Sequence, residues 1–265
     1  MPYSAPESDT PVAGKAREKR FKVDLWATDF NDVELGIMKR TQHEAASDQF
    51  TKDMEVIGQV KEDGERTGLI AYRKGLWNEE RGGKRRLVIK LFSESWNWRG
   101  SLDMMVGRSL QLAHGADGIP APAFSINLAR HDQLVQLESS AHRLPLVPEK
   151  FSFFILTEDG PVFYRLRRDR VSIGADFNLF GPDGKKVGRL DGKVVNLGGA
   201  WKVRLAGSHA NAKLESVLTL FCAMLRFHGG CRKHVETLQK AMADGRAIHL
   251  DHHEDDLYMN PRRAR

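Results

Sequence analysis

The chain has 265 residues, 41% hydrophobic and 29% charged, with 41 Lys and Arg against 35 Asp and Glu for a formal net charge of +6. These proportions exclude a disordered or fibrous chain and allow one generous core or two small ones, with a modest bias toward anionic partners. The densest apolar run, Val217 to Phe227, is broken by Thr219 and Arg226, well short of the roughly 20 residues a bilayer-spanning helix needs.

Residues 1–20 are rich in Pro, Ser, Ala and Gly and turn basic at Lys15, Arg17, Lys19 and Arg20. They read as a disordered leader without the charged-then-apolar order of a secretory signal. Residues 21–245 read as a single domain, with 246–265 as a mobile tail. Asp-Gly pairs at 63–64, 117–118, 159–160, 183–184 and 191–192 are hairpin signals, because both central residues of a type I′ turn need positive φ. Met54 to Val60 and Leu69 to Tyr72 flank the first pair, and Phe151 to Leu156 and Val162 to Leu166 flank the third. Leu87 to Phe92 reads as a short apolar strand. Trp201, Val203 and Leu205 alternate with Lys202 and Arg204, the period of a half-buried strand. Ser101 to Ala113 has helical spacing, and Ile119 to Pro148, with four prolines around a strand-like patch at Gln133 to Leu137, reads as a long connection or a domain boundary.

Ala212 to His228 carries Leu214, Val217, Leu218, Leu220, Phe221, Cys222, Met224, Leu225 and Phe227 around nearly its whole circumference. A helix apolar on all sides is buried on all sides, and Gly229-Gly230 offers a positive-φ exit. Cys231 to Met242 follows as a surface helix, with Val235, Leu238 and Met242 on one side. The fold class expected is mainly β (α+β): an antiparallel β-barrel wrapped around a central buried hydrophobic helix near the C-terminus. The alternative is that helix wedged between two layers.

Arg170-Val171-Ser172-Ile173-Gly174-Ala175-Asp176-Phe177, an alternating strand, Asp183-Gly184, a second strand and Gly192-Lys193 form a unit whose opening half recurs in Val194 to Val203. This unit resembles a repeat of the LURP-one-related family, part of the tubby C-terminal-like superfamily that also holds the phospholipid scramblases. The resemblance covers roughly Val162 to Phe227 and implies a barrel closed around a hydrophobic helix, with Leu214 to Phe227 in that place. Only Ala206 to Asn211 separates the last repeat-like strand from the helix, so the remaining strands would come from Met54 to Leu137.

No nucleophile elbow, P-loop or dinucleotide fingerprint is present, no catalytic constellation is found, and no cofactor is expected. His228, Cys231 and His234, with His249, His252, His253, Glu254 and Asp255 nearby in sequence, are metal-ligand types without a recognised zinc spacing. They read as structural, and no metal is assigned. Two cysteines are too few for a disulfide scaffold and fit a reducing, cytoplasmic setting, peripheral to a membrane if lipid is bound. The basic residues Arg165, Arg167, Arg168, Arg170, Lys185, Lys186, Arg189, Lys193, Lys202 and Arg204 cluster in the family-like region. They read either as a patch holding an anionic phospholipid head group or another phosphorylated ligand, or as a solubilising face. A second functional reading is a nucleic-acid or protein adaptor built on Trp77, Trp96, Trp98 and Arg81 to Arg86. For those tryptophans, packing in the core is the plainer role.

Overall fold

A computed structural model describes residues 18–25, 48–129, 131, 133–141, 147–169, 176–193 and 199–259. Of residues 193, 258 and 259 it describes only the backbone. The strands are β1 (Lys19–Leu25), β2 (Met54–Glu62), β3 (Glu65–Arg73), β4 (Val88–Ser93), β5 (Trp98–Met105) and β6 (Ala123–Leu128). They continue with β7 (Gln133–Ser139), β8 (Lys150–Thr157), β9 (Gly160–Arg168), β10 (Phe177–Phe180), β11 (Lys186–Lys193) and β12 (Ala200–Leu205). The helices are α1 (Val106–Gly115), α2 (Ala212–Leu225), α3 (His228–Ala243) and α4 (His252–Met259).

Each strand pairs antiparallel with its neighbour in sequence, and β1 closes the ring against β12. The result is an up-and-down barrel of twelve strands, in which closure removes the exposed edges of an open sheet. At the closing seam Phe21 faces Val203 and Val23 faces Trp201, all buried, while Arg20 faces Arg204 and Lys22 faces Lys202 on the outside. Strict alternation therefore fixes the register, since a one-residue slip would turn the cations inward.

The apolar helix occupies the interior. In α2, Leu214, Val217, Leu218, Leu220, Phe221, Cys222, Ala223 and Met224 are all 0% exposed. The Phe221 ring meets Phe151 of β8 and Phe177 of β10 at 5.0 and 5.2 Å. On other sides the helix packs on β1, β4, β5 and β6. Its N-terminus is capped by Asn211, whose Oδ1 accepts from the Leu214 N–H at 2.9 Å, which satisfies one orphan donor of the first turn. Each fully buried large apolar side chain contributes roughly 1.5–3 kcal/mol, so the helix anchors the whole wall.

Several elements differ from the sequence expectations. Ser101 to Met105 is strand, and α1 begins only at Val106. The expected long connection contains β6 and β7. Both β5 and β6 are buried on both faces over most of their length, which erases the alternation that marks a half-exposed strand. Asp63-Gly64 turns a hairpin with φ of 50° and 91°, and the pairs at 159–160 and 183–184 also lie at hairpin ends. Asp117-Gly118 instead follows α1, and Asp191-Gly192 lies inside β11. Gly229 and Gly230 do not end α2 in a left-handed turn; they open α3. A Cβ at Gly230 would stand 3.0 Å from the Trp77 ring, so packing is what calls for glycine there. Met242, expected to share the buried side of that helix, is 52% exposed.

The leader ends earlier than expected, because Lys19 and Arg20 belong to β1; residues 1–17 lie outside the described residues. Part of the segment read as a tail is seated on the barrel. The Glu254 carboxylate of α4 accepts from the Gly107 and Arg108 N–H groups at 2.8 and 2.9 Å, capping α1 where its dipole favours negative charge. Asp251 pairs with Arg86, His253 Nε2 lies 3.0 Å from Asp103 Oδ1, and Leu257 is buried.

Candidate functional site

The barrel register decides which basic residues meet. On the outer wall Lys61 of β2, Lys22 of β1 and Lys202 of β12 stand directly opposite one another in one row. The next row runs through Arg20, Arg204, Arg189, Asn178, Arg167 and Lys150 on β1, β12, β11, β10, β9 and β8. Between β2, β1 and β12 these rows line a groove of about 500 Å³ whose charged walls are Arg20, Lys22, Lys61, Lys202 and Arg204, with Asp63 and Asp191. A second groove of about 520 Å³, on the other side of Arg204, is lined by Lys186, Arg189 and Glu18 among others.

The expected basic residues divide into groups. Arg189 sits in a carboxylate cage: Asp176 at 3.0 Å, Asp169 at 3.8 Å and a close contact with Asp191, which also takes Arg204. Burial pushes the Asp191 carboxyl up, but hydrogen bonds from Arg189 and Arg204 outweigh it and hold the group below the usual carboxylate range. Arg165 and Arg167 lie over the Phe163 and Phe180 rings at 5.4 and 5.0 Å. Lys185 stands in the β10–β11 turn 3.3 Å from Asp183, and Lys186 is exposed at the start of β11. Arg168, although exposed, is paired in register with the inward Phe177 and belongs to the end of the barrel near Glu149. Arg170 and the Lys193 side chain lie outside the described residues.

Lys202 and Arg204 are thus joined by three cations that the sequence reading did not include: Arg20, Lys22 and Lys61. Arg20 bonds Glu18 at 2.7 Å and Lys22 pairs with Asp24 at 2.7 Å. Among the described residues Lys61 and Lys202 have no ion-pair partner. Like charges directly opposite on neighbouring strands cost stability; beyond Lys202 the row continues to Asp191 of β11, which faces it in register.

At the mouth where α2 enters, a separate cavity of about 350 Å³ is lined by Phe21, Val60, Leu91, Glu62, Glu215 and Arg99 among others. Lys19 contacts Glu62 and lies 3.9 Å from Glu215, whose carboxyl is pushed up by burial against the pull of Lys19. Its paired acids make this cavity unsuited to an anion.

The other candidate residues take part in the packing and hydrogen bonding of the fold. Burial lowers the His228 imidazole to about 4, with Arg232 and Arg168 adding to the effect, and burial pushes the Cys222 and Cys231 thiols up. His234 Nε2 lies 2.9 Å from the Arg85 carbonyl. Among the described residues no three His, Cys, Asp or Glu side chains are grouped to hold a metal ion. Trp77 and Trp96 are buried and Trp98 is half-buried. The Arg85 guanidinium lies 4.4 Å over the Trp77 ring, and Arg86 is buried against Asp251.

Compared with known protein families, with curated proteins and with solved structures, the chain matches none. Among the described residues no helix is long and apolar enough to cross a membrane.

Proposed function

We propose that the protein is a non-enzymatic binding module of the LURP-one/tubby-like kind, which takes a phosphate-bearing anion, such as an anionic lipid head group, in the groove between β2, β1 and β12. The observation that carries this reading is the cross-strand row Lys61, Lys22 and Lys202, flanked by Arg20 and Arg204. Lysine ammonium groups serve as point charges for phosphate oxygens, and the adjacent arginines offer forked donors. Inositol trisphosphate titrated calorimetrically into the whole chain tests it. Binding is expected to weaken with salt and to fall at least about tenfold in Lys22→Glu with Lys202→Glu, which is two charge reversals in the row. An equal affinity of the double variant, or no binding by the native chain at low salt, would overturn the proposal.

A further inference from the structure

The β8–β9 hairpin is paired with its neighbouring strands over only part of its length. On one side β7 pairs with β8 only at Glu138↔Ser152 and Ser139↔Phe151, and on the other β10 pairs with β9 no farther than Phe180↔Arg165. Residues 153–164 therefore have only each other as strand partners among the described residues. They form a two-stranded ribbon, and such a ribbon is marginal in water unless one face is packed.

One face is packed. Phe153, Ile155 and Tyr164 are buried; Phe153 and Tyr164 stack at 5.6 Å, and the Tyr164 hydroxyl lies 3.1 Å from His209 Nδ1. The Leu156 carbonyl accepts from Lys213 Nζ at 2.7 Å, at the start of α2. The opposite face holds Phe154 and Leu156, 56% and 54% exposed. Phe163 faces Phe154 with ring centroids 4.8 Å apart, and Pro161 faces Leu156. The other exposed large hydrophobics among the described residues, Met242 and Leu250, lie on α3 and ahead of α4.

Along the outer face, successive ranks read Leu156/Pro161, Phe154/Phe163, Ser152/Arg165 and Lys150/Arg167. Two apolar ranks are thus followed by two that carry cations. Same-face ranks are about 7 Å apart along a strand, and interfacial segments bury their apolar face about 5–10 Å into the headgroup and acyl boundary. With the outer face laid flat on the surface, the apolar ranks enter that boundary while the longer Arg165, Arg167 and Lys150 side chains beside them reach the phosphates. The turn carries Glu158 and Asp159, both exposed, so the ribbon meets an anionic surface with its side and keeps its tip out. The hairpin tip, the start of β1 and the end of β12 all lie at the barrel end where α2 enters, and the cationic groove reaches that end at the Asp63-Gly64 turn.

We infer that the outer face of the β8–β9 hairpin docks on an anionic phospholipid bilayer, with Phe154, Leu156 and Phe163 entering the interface. This rests on the reading of the groove as a phosphate site and adds that the phosphate is presented by a lipid surface. Flotation of the full chain with phosphatidylcholine vesicles, with and without phosphatidylserine, provides the test, with calorimetry against inositol trisphosphate run in parallel. Phe154→Ser with Leu156→Ser is expected to lower binding to phosphatidylserine vesicles about tenfold and to leave trisphosphate binding unchanged. Glu158→Gln with Asp159→Asn is expected to strengthen vesicle binding severalfold. A polarity-sensitive dye on Leu156→Cys, with Cys222 and Cys231 shielded by burial, is expected to shift to the blue on those vesicles.

Trisphosphate binding without vesicle binding, or vesicle binding indifferent to Phe154→Ser with Leu156→Ser, would overturn the inference and leave the groove standing. Loss of trisphosphate binding in the native chain would remove both. A dimer formed without lipid and abolished by the same double serine variant would also overturn it, and would assign the ribbon to self-association.

Discussion

Arg189 and Lys22 stand on the same outer wall, two strands apart, and their surroundings are opposite. Arg189 is held by Asp169, Asp176 and Asp191, so its charge is spent inside the fold. Lys22 has Asp24 at one end but faces Lys61 and Lys202 across both neighbouring strands. The β11 side of the wall is a structural ion network, and the β1 side is a surface left with positive charge to spare. A count of basic residues cannot separate the two; only the register does.

The sharpest break of this contrast is Asp176→Ala. Asp176 is 9% exposed, accepts from the Gly192 N–H at 2.7 Å and from Arg189 at 3.0 Å. Removing it strands one backbone donor and weakens the hold on a cation, and is expected to cost about 2–3 kcal/mol in urea unfolding. Trisphosphate affinity of the lysine groove should change less than about twofold. An unaltered unfolding midpoint would show that the β11 network is ornamental.

Lys61→Glu reverses the balance on the other side. The new carboxylate would face Lys22 on β1 and Arg66 on β3. Stability is expected to rise by roughly 0.2–1 kcal/mol while trisphosphate binding falls. A variant that loses stability along with binding would mean that the row is not frustrated.

The smallest effect is in pH. The Asp191 carboxyl is lowered in the folded chain, so its contribution is present above the unfolded value near 3.9 and is lost as pH falls through the lower folded value. At this half-buried site it amounts to about 1 kcal/mol or less. Asp191→Asn should flatten that acid limb of the stability curve, and should raise trisphosphate affinity severalfold by removing a negative charge from the groove and releasing Arg204. An acid limb identical in the variant would place the titration elsewhere.

The barrel with its interior helix was legible because α2 has no polar face and because β1, β8, β9 and β12 alternate where one side meets water. β5 and β6 were hidden by burial on both faces, and Pro120 and Pro122 just ahead of β6 read as loop. Asp191-Gly192 read as a turn, whereas Asp191 is an arginine partner within a strand. The groove was half visible. Lys202 and Arg204 alternate with core residues in plain view, but their neighbours Arg20, Lys22 and Lys61 come from the other end of the chain. The alternation of Arg20, Phe21, Lys22 and Val23 is the available signal, obscured where the basic leader runs into the first strand.

Every one of the twelve staves precedes α2 in the chain, yet α2 is what they enclose. A nascent polypeptide therefore builds its wall before it owns the plug, and a ring of that size cannot settle around nothing. Assembly must wait for residues 212–225, with pairings as distant as Lys19 with Leu205 forming late. Slow, nearly all-or-none maturation follows from such long-range connectivity, and with it an interval in which the half-made product needs shelter from its own kind.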